Sequence, residues 1–231
     1  MIGFSISQSG VEVGLRRFST TANNIANALT PGFKAARVSQ VDQAGGGTSV
    51  GSVQVRYSQG PLELQEGGFS LAVNGEGFFQ VETPEGPRFT RAGNFQVDGE
   101  GNVVTSQGYP LVPPVQIPAG ATGMQVASDG TVSAVLADGS TQNVGAVNPV
   151  RFANPGGLMQ EGGNTLSASA ASGAPMMGGT SSIFFGAVEG SNVNLTEEMV
   201  SMILSKASVR ANLSALKTQD EVLGEIVDLR G

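Results

Sequence analysis

The 231-residue chain is long enough for one large domain or two small ones, and it carries 34 glycines, only 13% charged residues and a net charge of −7. An acidic balance with no clustered Lys and Arg excludes a nucleic-acid surface, and the absence of Cys and His removes disulfides, thiolate metal sites and the commonest general base. Glycine at about twice its usual share of roughly 7% points to a turn-rich β body.

Met1 to Gly10 has no basic n-region and no continuous apolar core, so no cleaved signal peptide is expected. No later run approaches the roughly 18 apolar residues of a membrane span, so no direct membrane insertion is expected either. Phe4, Gln8, Val11, Leu15, Phe18, Ala22, Ile25 and Leu29 advance by four and three. They form a heptad stripe on an N-terminal helix that Pro31-Gly32 stops, with Gly32 expected at positive φ. Asn23, Asn24 and Asn27 stand in the last turns, where asparagine is a weak helix former. Two roles fit them: a fraying helix end, or amides bonded to backbone or neighbouring helices beside the small Ala22, Ala26 and Ala28. Residues 1–34 are thus assigned to an N-terminal helix and its stop.

Residues 35–68 are expected to be an extended connector, flexible at Gly45-Gly46-Gly47, with edge-strand character at Val53, Val55, Leu62 and Leu64 and Pro61 barring a central strand. From Phe69 the pattern is strongly β. Phe69, Leu71 and Val73 alternate, and turns at Pro84 to Pro87, Asp98 to Gly101, Asp129-Gly130 and Asp138-Gly139 separate short apolar runs. Residues 69–147 are therefore predicted to be an antiparallel meander with a core on Phe78, Phe89, Phe95 and Val104. The Gly-, Ser- and Ala-rich stretch 148–190 is expected to be an irregular, partly packed return path.

Residues 191–231 hold the second helix. Asn194 and Glu197 have the spacing of a reciprocal N-terminal cap. Met199, Met202, Lys206, Val209, Leu213, Leu216, Asp220, Leu223 and Val227 then advance by three and four, and Leu195, Ile203, Ala207, Val222, Ile226 and Leu229 form a second apolar stripe. The fold class is α+β: terminal helices packed as a coiled-coil-like pair, with a central antiparallel β-rich domain. Two such helices bury too little between themselves to be rigid alone, so further copies of the chain are expected as neighbours.

Chemistry finds little purchase. Gly75-Glu76-Gly77 and Gly99-Glu100-Gly101 lack the Lys-Ser/Thr pair and following helix of a phosphate loop. Asp98, Glu100, Asp129 and Asp138 sit at turns without calcium-loop spacing. The hydroxyls of Ser167 to Ser172 have no histidine to activate them. No catalytic, cofactor-binding or metal residue is predicted, and the chain is read as a non-enzyme.

Ala22-Asn23-Asn24-Ile25-Ala26-Asn27 and Thr30-Pro31-Gly32-Phe33-Lys34 resemble the amino-terminal signature of the bacterial flagellar rod and hook proteins, the axial family of the basal body. Asn74 to Val81, Phe89 to Phe95 and Thr105 to Leu111 resemble the family's β domain, and Gly190 to Leu195 with Glu197 to Val200 its carboxyl-terminal signature. Arg151 to Leu158 looks most like the distal-rod members. The connector after Lys34 is short for the family, and Ser205 to Asn212 departs from its usual arginine and tyrosine before the asparagine.

The resemblance implies an inner tube of paired terminal helices and an outer wall of β domains, stacked helically into the hollow axle that transmits torque and lines the export channel. It implies as partners the chain itself, other flagellar rod and hook proteins and the flagellar type III export apparatus, and a place in the periplasm-spanning rod. Expected subunit-packing residues are Phe4, Val11, Leu15, Phe18, Asn23, Asn24, Ile25, Asn27, Leu29, Gly32, Phe33, Met199, Met202, Leu213, Leu216, Leu223 and Val227. The rival readings are a proximal-rod or hook-type subunit, a secreted β-rich binding module oligomerised by its helices, and an enzyme using carboxylates.

Overall fold

A computed structural model describes residues 2–65, 68–178 and 181–228. The chain forms two compact units, one of Met1–Ala28, Lys34–Arg56 and Val193–Gly231 and the other of Leu29–Phe33 and Tyr57–Asn192.

In the first unit, helix α1 (Ile2–Ala26) packs against helix α2 (Leu195–Asp228). At 1.5 Å per residue they are about 37 and 51 Å long. The predicted cap is present: Asn194 Oδ1 accepts the N–H groups of Thr196 (3.1 Å) and Glu197 (3.4 Å). The Glu197 carboxylate reaches back to the Asn194 side-chain amide at 3.2 Å. Helix α1 ends at Ala26, earlier than Leu29, as Asn27 and Ala28 fold into turns on the carbonyls of Asn23, Asn24 and Ile25.

The stretch after Lys34 differs from a flexible connector. Strands β1 (Ala36–Asp42) and β2 (Thr48–Val55) form an antiparallel hairpin with a bulge between Ser39 and Gln40, and its Gly45 to Gly47 run is the turn. The hairpin lies against α1, where Thr48 N–H donates to Ser9 Oγ (3.1 Å).

The second unit contains β3 (Leu62–Leu64), β4 (Phe69–Asn74), β5 (Phe79–Thr83), β6 (Gly86–Thr90), β7 (Asn94–Val97), β8 (Val103–Val104) and β9 (Leu111–Val112). These are followed by β10 (Ala121–Val126), β11 (Thr131–Leu136), β12 (Thr141–Ala146), β13 (Val150–Arg151), β14 (Met159–Gly162), β15 (Thr165–Ser167), β16 (Met176–Met177), β17 (Ser182–Phe185) and β18 (Ala187–Glu189). Meander sheet β10-β11-β12 matches its turn chemistry, since Asp129 and Asp138 accept the N–H groups of Thr131 and Ser140 at 2.9 Å.

Residues 148–190 alternate the short strands β13 to β18 with irregular stretches. Strands β14, β15, β17 and β18 share sheets with earlier strands, in the orders β14-β15-β6-β5-β9, β17-β4-β7-β8 and β18-β3, while β13 and β16 pair with each other. The apolar residues there supply the reason: Ile183 enters one core cluster with Phe69, Phe79 and Phe95. Val150, Phe152, Leu158 and Leu166 join Phe78 and Phe89 in a second. The single core expected on Phe78, Phe89, Phe95 and Val104 is therefore two, with Phe95 in the first, Phe78 and Phe89 in the second, and Val104 buried outside both. Edge-to-face contacts link Phe79 to Phe95 (5.2 Å) and Phe89 to Phe152 (4.8 Å).

Candidate assembly interface

The helix pair meets through its small and polar residues. On α1, Gly3, Ser7, Gly10, Gly14 and Thr21 share one stripe, and Ser7, Gly14 and Thr21 are buried. A Cβ on Gly10 would stand 2.8 Å from the Asn212 amide, and one on Gly14 would stand 2.6 Å from Val209 Cγ2. On α2 the facing stripe is Glu198, Ser201, Ser205, Val209, Asn212 and Gln219, with the Thr21 and Ser201 hydroxyls 3.5 Å apart. Backbones that approach this closely leave no room for the large apolar side chains.

Those side chains therefore point away from the pair, which corrects the stripe chosen for the intramolecular contact. Phe4, Leu15, Phe18 and Leu29 are exposed, as are Met199, Leu213 and Leu223, with Leu15 and Met199 each 54% accessible. Val11, Ile25, Met202 and Leu216 are half-buried, and the side chain of Val227 lies outside the described residues. Gln8, Lys206 and Asp220, which interrupted the chosen seam, lie in solvent. Of the second stripe, Leu195, Ile203, Ala207 and Val222 are exposed, while the Ile226 side chain and Leu229 fall outside the described residues. The heptad period held while the phase moved by about one residue, because close approach selected glycine and serine over leucine. The signal was in the sequence, in small residues at 4-3-4 spacing from Gly3.

Of the three asparagines, Asn24 is 1% exposed and pairs with the backbone of Ala36 in both directions: its Nδ2 donates to the carbonyl at 2.8 Å and its Oδ1 accepts the N–H at 3.0 Å. A helix side chain thus imitates a strand partner and pins the start of the hairpin. Asn27 Nδ2 donates to the Asn23 carbonyl at 3.0 Å, and the Asn23 side chain is exposed. Arg37 and Glu197 add an exposed ion pair at 3.3 Å, worth at most about 1 kcal/mol.

In the second unit the resemblance-bearing motifs converge on a buried ion pair. Arg91 and Glu189 meet at 3.0 Å with 6% and 0% of their side chains accessible. Arg91 also donates to the carbonyls of Val73 (3.3 Å) and Gly75 (2.8 Å) and lies over the Phe78 ring at 5.3 Å. Glu189 Oε1 accepts the Gly60 N–H at 2.9 Å. Burial lowers the Arg91 pKa and the Glu189 charge opposes that shift. Gly32 belongs here too. Its φ is +70°, as expected, yet the helix has already ended at Ala26. The positive φ serves instead to lay its Cα against the backbone of Arg91 and Ala92, where a Cβ would collide, while its N–H donates to the Glu189 carbonyl at 2.6 Å. Sequence reasoning did not single out Glu189, since a buried carboxylate is recognised by a partner that only the fold brings near.

The remaining candidate chemistry resolves into turns. Asp98 Oδ1 accepts the N–H groups of Glu100 (2.9 Å) and Asn102 (2.8 Å), and bonds from the Asn102 side chain and backbone hold its carboxyl below the usual range. Ser169 Oγ donates to the Gly157 carbonyl and Ser172 Oγ to that of Ser169 (2.9 Å), so both hydroxyls are tied into the loop. Among the described residues no His, Cys, Asp or Glu group has the arrangement to hold a metal ion.

Three family models match the chain in order: the flagella basal body rod protein over residues 6–34, the flagellar hook protein FlgE/F/G D1 domain over 72–134, and the flagellar basal body rod FlgEFG protein C-terminal over 186–229. The flagellar basal-body rod protein FlgG of Bacillus subtilis is 35% identical over 258 residues, covering 96% of this chain and 97% of that protein. FlgG of Buchnera aphidicola from Schizaphis graminum is 34% identical, covering 97% and 98%. The flagellar hook protein FlgE of Escherichia coli is 35% identical over 142 residues, covering 58% of this chain and 34% of the hook protein.

Proposed function

Because the chain belongs to the bacterial flagellar basal-body rod and hook family and is a structural subunit of the rod, most like its distal-rod members, we propose that it polymerises helically with copies of itself into a hollow axle. In this reading the axle transmits torque, lines the export channel and joins other rod and hook proteins. The subunit travels through the flagellar type III export apparatus and takes its place in the periplasm-spanning part of the basal body.

The observation that carries the proposal is the outward apolar face of the helix pair. A pair that contacts itself through Gly, Ser and Asn and turns Phe4, Leu15, Phe18, Met199, Leu213 and Leu223 outward needs further apolar neighbours, and copies of the same pair supply them. Val11, Ile25, Met202 and Leu216 border that face. Asn23 and Asn27 are the exposed and half-buried polar members, while Asn24, Gly32 and Phe33 act by fixing the local chain.

Phe18→Ser and Leu213→Asp are expected to abolish polymers of the purified chain in electron micrographs, and motility in cells whose own subunit is deleted, with the β unit still folded. Normal polymers from both variants overturn the reading.

A further inference from the structure

Asn74-Gly75 is the one Asn-Gly step in the chain. Strand β4 ends at Asn74, and both residues are exposed. A glycine leaves its backbone nitrogen unhindered to attack the side-chain amide before it, which makes Asn-Gly the step most prone to deamidation. The fold does not dispense with this glycine, because Gly75 holds a φ of +104°. The Gly75 carbonyl also accepts Arg91 Nη2 at 2.8 Å, so a rearranged backbone at this step pulls on the buried pair of Arg91 and Glu189.

Two side chains close on the step. Gly75 N–H donates to Gln59 Oε1 at 3.2 Å, while Gln59 Nε2 lies 3.4 Å from the Val73 carbonyl oxygen and 3.5 Å from Asn74 Oδ1. The Asn74 amide in turn donates to Ser182 Oγ at 3.3 Å, its register partner on β17. The Gln59 carboxamide thus holds the attacking nitrogen through its acceptor, and the group to be attacked stands against its donor. Gln59 is itself exposed and lies outside the strands, so its side chain belongs to no core.

We propose that Asn74 is a deamidation site which the fold suppresses, and that Gln59 is the positioning residue that suppresses it. In the spontaneous reaction hydroxide removes the Gly75 amide proton and the nitrogen attacks Asn74 Cγ. The N–Cγ bond forms, the Cγ–Nδ2 bond breaks, and ammonia leaves with a proton taken from water. Water then opens the succinimide ring to aspartate or isoaspartate. The first step is the proton loss that hydrogen exchange also reads, and a hydrogen bond on that N–H retards both. Isoaspartate carries the backbone through the side chain, adding a methylene ahead of Gly75 and drawing its carbonyl off Arg91. The site is independent of the helix faces invoked for assembly.

The full chain is held in mildly alkaline buffer, and conversion of Asn74 is followed by peptide mass mapping beside that of the other asparagines. Gln59→Ala is expected to convert at Asn74 at least threefold faster than wild type, with the other asparagines unchanged. Gln59→Glu keeps an acceptor for the Gly75 N–H and is expected to stay at or below the wild-type rate. Equal rates at Asn74 in the wild-type and Gln59→Ala chains overturn the proposal, as does a Gln59→Glu chain that converts as fast as Gln59→Ala. A rise shared by every asparagine of Gln59→Ala reports general loosening and overturns it too. A second measurement needs no variant. In the wild-type chain the Gly75 amide is expected to exchange its hydrogen at least tenfold more slowly than in an unstructured peptide of the same sequence, and equal exchange overturns the proposal by itself.

Discussion

At the scale of single residues, the Arg91–Glu189 pair bears most on the β unit, because breaking a buried pair leaves an uncompensated charge where water does not reach. Glu189→Gln and Arg91→Met are each expected to destabilise the β unit by roughly 3–5 kcal/mol in chemical denaturation. A loss below about 1 kcal/mol would show that the pair contributes little beyond its desolvation cost. Tyr57 presents the opposite case. Its hydroxyl is buried without a hydrogen-bond partner among the described residues, and burial pushes its pKa up from 10.0 to about 12. Since the fold keeps the phenol protonated where the unfolded chain would ionise it, stability is complete below pH 10 and falls as pH rises towards 12. Tyr57→Phe is expected to stabilise the chain by about 1 kcal/mol and to flatten that alkaline fall, both readable from denaturation at pH 8 and pH 11. The motif residues Asn24, Gly32 and Arg91 were visible in the sequence, but their partners Ala36, Glu189 and Gly75 were not. Hydrogen bonds across such separations are fixed by topology, which periodicity does not encode.

At the scale of elements, the helix contact depends on the absence of side chains. A Cβ at Gly14 would press on Val209, and the adjoining Ser205 carbonyl lies 3.8 Å away. Gly14→Leu is thus expected to separate the pair and lower far-UV helicity, whereas Phe18→Ser leaves the helicity of the monomer unchanged. Equal effects from the two substitutions would mean that the apolar stripe holds the pair after all. For the β unit the expected boundary moves. Strands β14, β15, β17 and β18 share sheets with β3 to β9, so a fragment 57–192 is expected to unfold cooperatively and a fragment 69–147 to remain protease-sensitive. A cooperative melt from the shorter piece would show that Ile183, Phe152 and Leu166 are dispensable to their cores. The alternation at Phe69 to Val73 and the turns at Asp98, Asp129 and Asp138 announced their strands clearly. The strands after Val150 did not announce themselves, because they run for two to four residues among Gly, Ser and Ala, too short for a period to register. The helix seam was legible in period and misleading in phase, since a hydrophobic count ranks residues by the area they can bury and takes no account of how close two backbones come.

At the scale of the whole molecule, the helices are the part with the least to hold them. A two-helix contact built on Gly3, Ser7, Gly10 and Gly14 buries little apolar area, while the residues that would bury most face outward. Long helices fray unless they are docked, and conformational entropy of order 1–2 kcal/mol per residue opposes holding them straight. We therefore expect residues 11–25 and 199–223 to exchange their amide hydrogens fast in dilute monomer and slowly in the polymer, where neighbouring copies cover Leu15, Phe18, Met199 and Leu213. The core strands Phe69 to Val73 and Phe79 to Val81 are expected to be protected in both states, because their side chains are already buried. Leu213→Asp separates the two contributions: the charge meets water in the monomer and an apolar neighbour in the polymer, so the β unit folds normally and assembly is lost. Strong protection of both helices in a verified monomer would show that the small-residue contact suffices to order them, and the outward apolar stripes would then govern the affinity between copies without governing the folding of each one.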